Sequence, residues 1–270
     1  MPMKDYRELF EKLIFAVFYL FSMFSMHSDR LNSYWGNNGT PYMLFRYVLI
    51  AILIVFSVLI NQNNIRFITK VISCTVPVIT ALLIIDYYIF HISGTSILYT
   101  LVWLSYILTT LMSLFIVTTL FGKYNYPTFY KAFWRAFLPL YLFTIIICFL
   151  RRPGDNLTVN LELGQGTILL LRAMIDNIQV SFEAPLIFFG NVGVFVPLPF
   201  ILSAVSNKLT PPKIMIIGFI TPFLAEGYQF IFKCGQVDVD DIVLNFGGFL
   251  IAYLVYILIY KFKLKDTATA

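Results

Sequence analysis

Residues 238–260 read DVDDIVLNFGGFLIAYLVYILIY. Three aspartates stand within four positions, and behind them the chain runs from Ile242 to Tyr260 without a charge. That uncharged run has the length a helix needs to cross a hydrocarbon core, about 20 residues. Working outward from it, comparable apolar runs recur at roughly 214–232, 184–206, 136–150, 97–121, 71–90, 44–60 and 13–26, separated by short polar breaks. The sequence therefore predicts an all-α, polytopic transmembrane helical bundle of about eight spans. The first and fifth runs are short, and they reach spanning length by extending back through residues 9–12 and 129–135, where Lys12 and Arg135 snorkel. No small-x-small cleavage pattern follows the first run, so it is expected to be retained.

Composition agrees with this reading. Of 270 residues, 12% are charged and 59% hydrophobic, where soluble domains carry roughly 25% and 45–50%. Intrinsic disorder, a disulfide scaffold and a freely soluble enzyme are excluded. The pI near 9.0 does not point to nucleic acid, because the basic residues are scattered singly between apolar runs instead of forming a stripe. They read as orientation signals. With the N-terminus inside, thirteen Lys and Arg fall on the cytoplasmic side and six outside, namely Arg30, Arg46, Arg151, Arg152, Arg172 and Lys233. Both termini are then cytoplasmic. Tyr124, Tyr126, Tyr130 and Trp134 fall at the inner boundary and are expected to be interfacial anchors. The division expected is a four-helix transmembrane region over 1–128 and a second four-helix domain over 129–270.

The longest connection, 151–182, lies on the outer side. Ile168, Leu171, Ile175 and Ile178 repeat at helical spacing within it, so it should carry an amphipathic helix on or against the membrane surface. The same side collects polar groups from three consecutive helices. Glu183 and Asn191 belong to the sixth span, Glu226 and Gln229 to the seventh, and Asp238, Asp240, Asp241 and Asn245 to the start of the eighth. Intramembrane polar groups are expensive, and their gathering marks a functional site. Plainer roles compete with that reading. Asp240 or Asp241 is placed to cap the eighth helix, Asn245 and Gln229 to serve as interhelical hydrogen bonds, and Gly190, Gly193, Gly247 and Gly248 to permit close packing. Pro197, Pro199 and Pro222 read as kinks. Glu226 is the hardest to explain structurally, because it is flanked by apolar residues and needs a partner, a proton or a wet cavity.

Three further chemistries fit some of the same residues. Asp238, Asp240 and Asp241 are oxygen ligands of the type a hard cation takes, but their spacing falls short of an EF-hand loop, and no metal is predicted. Glu226 as general acid or base would make the protein a membrane transferase or hydrolase of a lipid-linked substrate, although no nucleophile accompanies it. A small transporter using Asp86 and Glu226 is the third reading, without a visible inverted repeat. No dinucleotide, ATP, haem or other cofactor motif is present. The three cysteines, Cys74, Cys148 and Cys234, are expected as free thiols, with pairing of Cys148 and Cys234 left open.

The segments Asn191-Val-Gly-Val-Phe195-Val-Pro197, Glu226-Gly-Tyr-Gln229 and Asp238-Val-Asp-Asp241-Ile-Val-Leu-Asn245-Phe-Gly-Gly248 together resemble the VanZ family of bacterial membrane proteins. The resemblance is strongest over 183–256, extends to the fifth span through Arg151 or Arg152 and Asn160-Leu161, and leaves the first 120 residues outside. Departures are Glu162-Leu163 where the family has Pro-Phe, Pro199 where it has Gly, and Lys233 where it has Arg. The resemblance implies a multi-pass protein of the bacterial plasma membrane that lowers susceptibility to teicoplanin-type lipoglycopeptides. The residues themselves add a location: an outer-face cluster of carboxylates and amides, with Arg151 and Arg152 supplying positive charge. Such a cluster suits a polar headgroup in the bilayer, whether of a lipid-linked cell-wall precursor, a phospholipid or a lipoglycopeptide. Nucleic acid is not an expected partner.

Overall fold

The computed structural model describes residues 3–27, 39–92, 97–122, 125–147, 158–176, 183–233 and 236–264. Arg151, Arg152, Cys148 and Cys234 lie outside the described residues, as does the side chain of Glu183. The elements in order are α1 (Met3–His27), α2 (Gly39–Asn61), α3 (Ile65–Ile92), α4 (Ile97–Phe121), α5 (Tyr126–Ile145), β1 (Thr158–Asn160), α6 (Gln165–Asp176), α7 (Glu183–Val194), α8 (Leu198–Val205), α9 (Pro211–Phe232), β2 (Gln236–Asp238) and α10 (Val239–Ile259). Over the described residues each expected span falls on helix, except for a turn at 195–197 within the sixth. Four stretches, Ile65–Ile85, Ile187–Val205, Pro211–Phe232 and Val239–Leu264, are long and apolar enough to cross a membrane, while Val48–Asn61 and Ile107–Phe121 are shorter.

The chain divides into two compact units, Met1–Ala136 and Phe137–Ala270, with the division inside α5. In the first unit α2 packs on α1 and α4, and α3 on α4. The Tyr19 and Thr75 hydroxyls hydrogen-bond at 3.0 Å, tying α1 to α3. Against expectation, Tyr126, Tyr130 and Trp134 are not interfacial anchors: all three are buried. Tyr130 and Trp134 meet Phe115 of α4 in tilted and edge-on contacts, Tyr126 meets Phe129 and Trp134 meets Phe133 of α5, and Tyr126 shares a hydrogen bond with Thr119 at 2.8 Å. An aromatic at a helix end meets the same need, an apolar body with a partnered polar tip, against a neighbouring helix as against a headgroup layer.

The second unit is built around α10. On it Asn245, Phe249, Ala252 and Tyr256 are buried at spacings of four, three and four, while Val243, Ile251, Leu254 and Leu258 are exposed on the opposite face, as a helix between protein and hydrocarbon requires. Two glycines let its neighbours approach. A Cβ on Gly248 would overlap the backbone of Val192 in α7, and one on Gly218 in α9 would overlap the ring of Phe249. A Cβ on Gly190, Gly193 or Gly247 would meet nothing within 4 Å, so close packing does not explain those three.

The run expected as one kinked sixth span is two helices. Pro197 and Pro199 lack the N–H groups that would bond back to Gly193 and Phe195. The chain instead turns through Phe195–Pro197, with Val196 N–H donating to Gly193 and Leu198 N–H to Phe195, each at 3.2 Å. A second addition to the all-helical expectation is a two-stranded parallel sheet in which Asn160 pairs with Asp238, Val159 with Val237 and Thr158 with Gln236. It joins the long loop to the connection between α9 and α10.

Candidate functional site

The N-terminal turn of α10 organises the site. Asp238 is its N-cap: the backbone is extended there (φ −131°, ψ 124°) and the side chain accepts from Asp240 N–H at 2.9 Å. The cap is therefore Asp238, not Asp240 or Asp241, because the strand β2 delivers Asp238 at the required extended angles. Its other carboxylate oxygen accepts from Asn160 Nδ2 at 3.1 Å, and Asn160 Oδ1 accepts Glu162 N–H at 3.1 Å, closing a local turn.

Asp240 has a different task. Its carboxylate accepts Gly164 N–H at 2.6 Å and Thr167 N–H at 2.7 Å. These donors belong to the entry of α6, where free amides and the positive end of the helix dipole favour an anion. Asp240 thus fastens the long loop to α10. The fit depends on two glycines: Gly164 has φ +87°, open to glycine at little cost, and a Cβ on Gly166 would lie 2.6 Å from Asp238 Oδ2 and 3.2 Å from Asp240 Oδ2. Asp241 turns to α7, where it accepts from the Asn191 amide. The three aspartates consequently face three different partners, and among the described residues no group of three or more His, Cys, Asp or Glu converges on a metal position.

Beneath this turn lie Glu226, Gln229 and Asn245, all buried. Glu226 Oε2 accepts Asp238 N–H at 3.3 Å, so the carboxylate that needed a partner stands under the N-cap residue. Among the described residues, Gln229 Oε1 and both amide atoms of Asn245 have no hydrogen-bond partner. The interhelical hydrogen bonds expected of those two amides are therefore not made by these atoms. Fully buried amide groups without partners are costly, so the hydrogen bonds of the fold explain neither Asn245 nor Gln229 Oε1.

Above the turn, a cavity of about 490 Å³ is lined by Asn160, Glu162, Gln165, Gly166 and Asp238, with Leu161 and Leu169 among its apolar walls. The expected site residues Asn191, Glu226, Gln229, Asp238, Asp240, Asp241 and Asn245 are thus gathered around the first turns of α10. Glu183 begins α7. Sequence reasoning missed Gly164, Gly166 and Thr167 as the clamp on Asp240, and Glu162 and Gln165 as cavity residues. Two glycines at the entry of an amphipathic helix, Gly164 just before it and Gly166 in its first turn, were the available signal.

Fold and site together define a helical membrane protein in which Glu226, Gln229, Asp238, Asp240 and Asn245 are buried toward the loop-covered end of its last two helices. The sequence model described as VanZ/LLP1 matches residues 97–260. That is more than half of the chain, which belongs to this family. The match begins at α4, so the family region takes in part of the first 120 residues, which the motif resemblance had left outside. No curated protein and no solved structure matches the chain.

Proposed function

We propose that this VanZ/LLP1 protein holds the polar headgroup of a cell-envelope lipid-linked molecule at the outward end of α10, and thereby lowers susceptibility to teicoplanin-type lipoglycopeptides. The observation that carries the reading is the cavity at Asp238, whose lining has two carboxylates, Glu162 and Asp238, and two amides, Asn160 and Gln165. That set accepts from hydroxyl and amino groups and reads amides, which favours a sugar- or amine-bearing headgroup over a bare phosphate. The exposed apolar residues Leu161, Leu163, Ile168 and Leu169 border the same loop and suit a ligand with acyl chains.

The test is expression in a teicoplanin-sensitive host, comparing wild type with Glu162→Gln and Gln165→Ala, both exposed positions whose replacement leaves the buried contacts intact. Wild type should raise the inhibitory concentration, and the two variants should each lose most of that protection. If wild type does not differ from empty vector, the resistance reading fails. If all three protect equally, this cavity is not the site. Glu226→Gln separates binding from acid–base chemistry: a binding role tolerates the isostere, and a hydrolase loses turnover.

A further inference from the structure

The first unit has a cavity of its own, about 370 Å³, between α1 and the start of α3, and its lining is basic. Lys12, Arg66 and Lys70 face it, together with the amides Asn63, Asn64 and Asn125. Arg66 and Lys70 are four apart on α3 and so share a face. One carboxylate lines the cavity, Glu8, and it is bound to Lys12 at 2.7 Å. Glu11, on the next turn of α1, is held by Arg7 at 3.1 Å and by Asn64 Nδ2 at 2.9 Å. Among the described residues neither Arg66 nor Lys70 forms an ion pair, and the first turn of α3 has no acidic residue. The cavity therefore presents an excess of positive charge beside the positive end of a helix dipole.

We propose that this cavity binds the phosphate of an anionic lipid headgroup. Two features favour a membrane lipid over a soluble phosphate. The cavity lies at the beginning of the apolar stretch Ile65–Ile85, where the headgroup layer meets a spanning helix. Beside Lys12, α1 exposes Leu9, Leu13 and Val17 in a continuous stripe, a surface for acyl chains running from the charged pocket. Basic pockets between spanning helices are the usual receptors for such headgroups.

The experiment places the full chain in phosphatidylcholine nanodiscs containing a minor fraction of phosphatidylglycerol and counts retained lipids by native mass spectrometry. Wild type should retain phosphatidylglycerol in excess of its share. Arg66→Ala with Lys70→Ala should reduce that excess by on the order of tenfold. Arg66→Lys with Lys70→Arg should keep it, and Glu8→Gln should increase it by releasing Lys12. Millimolar inorganic phosphate should leave lipid retention unchanged. The proposal is overturned if wild type shows no excess, if the double alanine variant retains as much as wild type, or if the charge-conserving pair loses retention too. Displacement by inorganic phosphate overturns the lipid assignment in favour of a soluble phosphate.

Discussion

Asp240 and Asn245 stand five residues apart on one helix and answer opposite demands. Asp240 is buried but supplied with the amide donors of Gly164 and Thr167, so removing it leaves both donors without an acceptor. Asp240→Ala should lower stability by about 3 kcal/mol, seen as a reduced Tm in detergent, and should speed hydrogen exchange at Gly164 and Thr167 while leaving the far half of α10 protected. Unchanged exchange at those two amides would disprove the clamp. Asn245 is fully buried with both amide atoms unpartnered among the described residues. Asn245→Leu should therefore leave stability unchanged or raise it by about 1 kcal/mol, and still abolish protection in the susceptibility assay. A variant that is strongly destabilised would instead make Asn245 a structural hydrogen-bonding residue. That pairing of gained stability with lost function is the signature of a residue kept for a ligand.

At the scale of elements, the helices were legible because each is an apolar run, and the amphipathic α6 because its Ile and Leu repeat at helical spacing. The parallel pair β1 and β2 was not legible. Each strand is three residues long, one reads Thr-Val-Asn and the other Gln-Val-Asp, and nothing in so short a polar segment records a partner 78 positions away. The break between α7 and α8 was half legible, since two prolines announced a disturbance but not that it would end the helix. Tyr126, Tyr130 and Trp134 were misread because side-chain chemistry alone does not say whether a ring meets lipid or α4. The strand pairing has its own test. With the three native cysteines replaced by serine, Val159→Cys and Val237→Cys should form a disulfide, because paired strands hold Cα atoms about 5 Å apart. After cleavage at a protease site placed between α8 and α9, the fragments should stay joined until reduced. Cysteine at Leu163 in place of Val159 should give no joining.

For the whole molecule, two boundaries do not coincide. The family match starts at α4, and the compact units divide within α5. The helix α4 is thus shared sequence heritage packed with the first unit's other helices. The orientation expected from the scatter of Lys and Arg predicts that Cys234 reacts with a membrane-impermeant thiol reagent added to intact cells when Cys74 and Cys148 are serine. Protection of Cys234 until the membrane is broken would reverse the assignment. The clamp on Asp240 also sets a timetable. Gly164 emerges from the ribosome 76 residues before the aspartate that will hold it, an interval of about 4–15 s at ordinary rates of synthesis. Throughout that interval β1 has no strand to join, and Ile168, Leu169 and Ile175, exposed even in the finished fold, have the bilayer surface as their nearest apolar refuge. Assembly of the cavity is therefore a late event in biosynthesis, and a chain truncated before residue 240 is born without it.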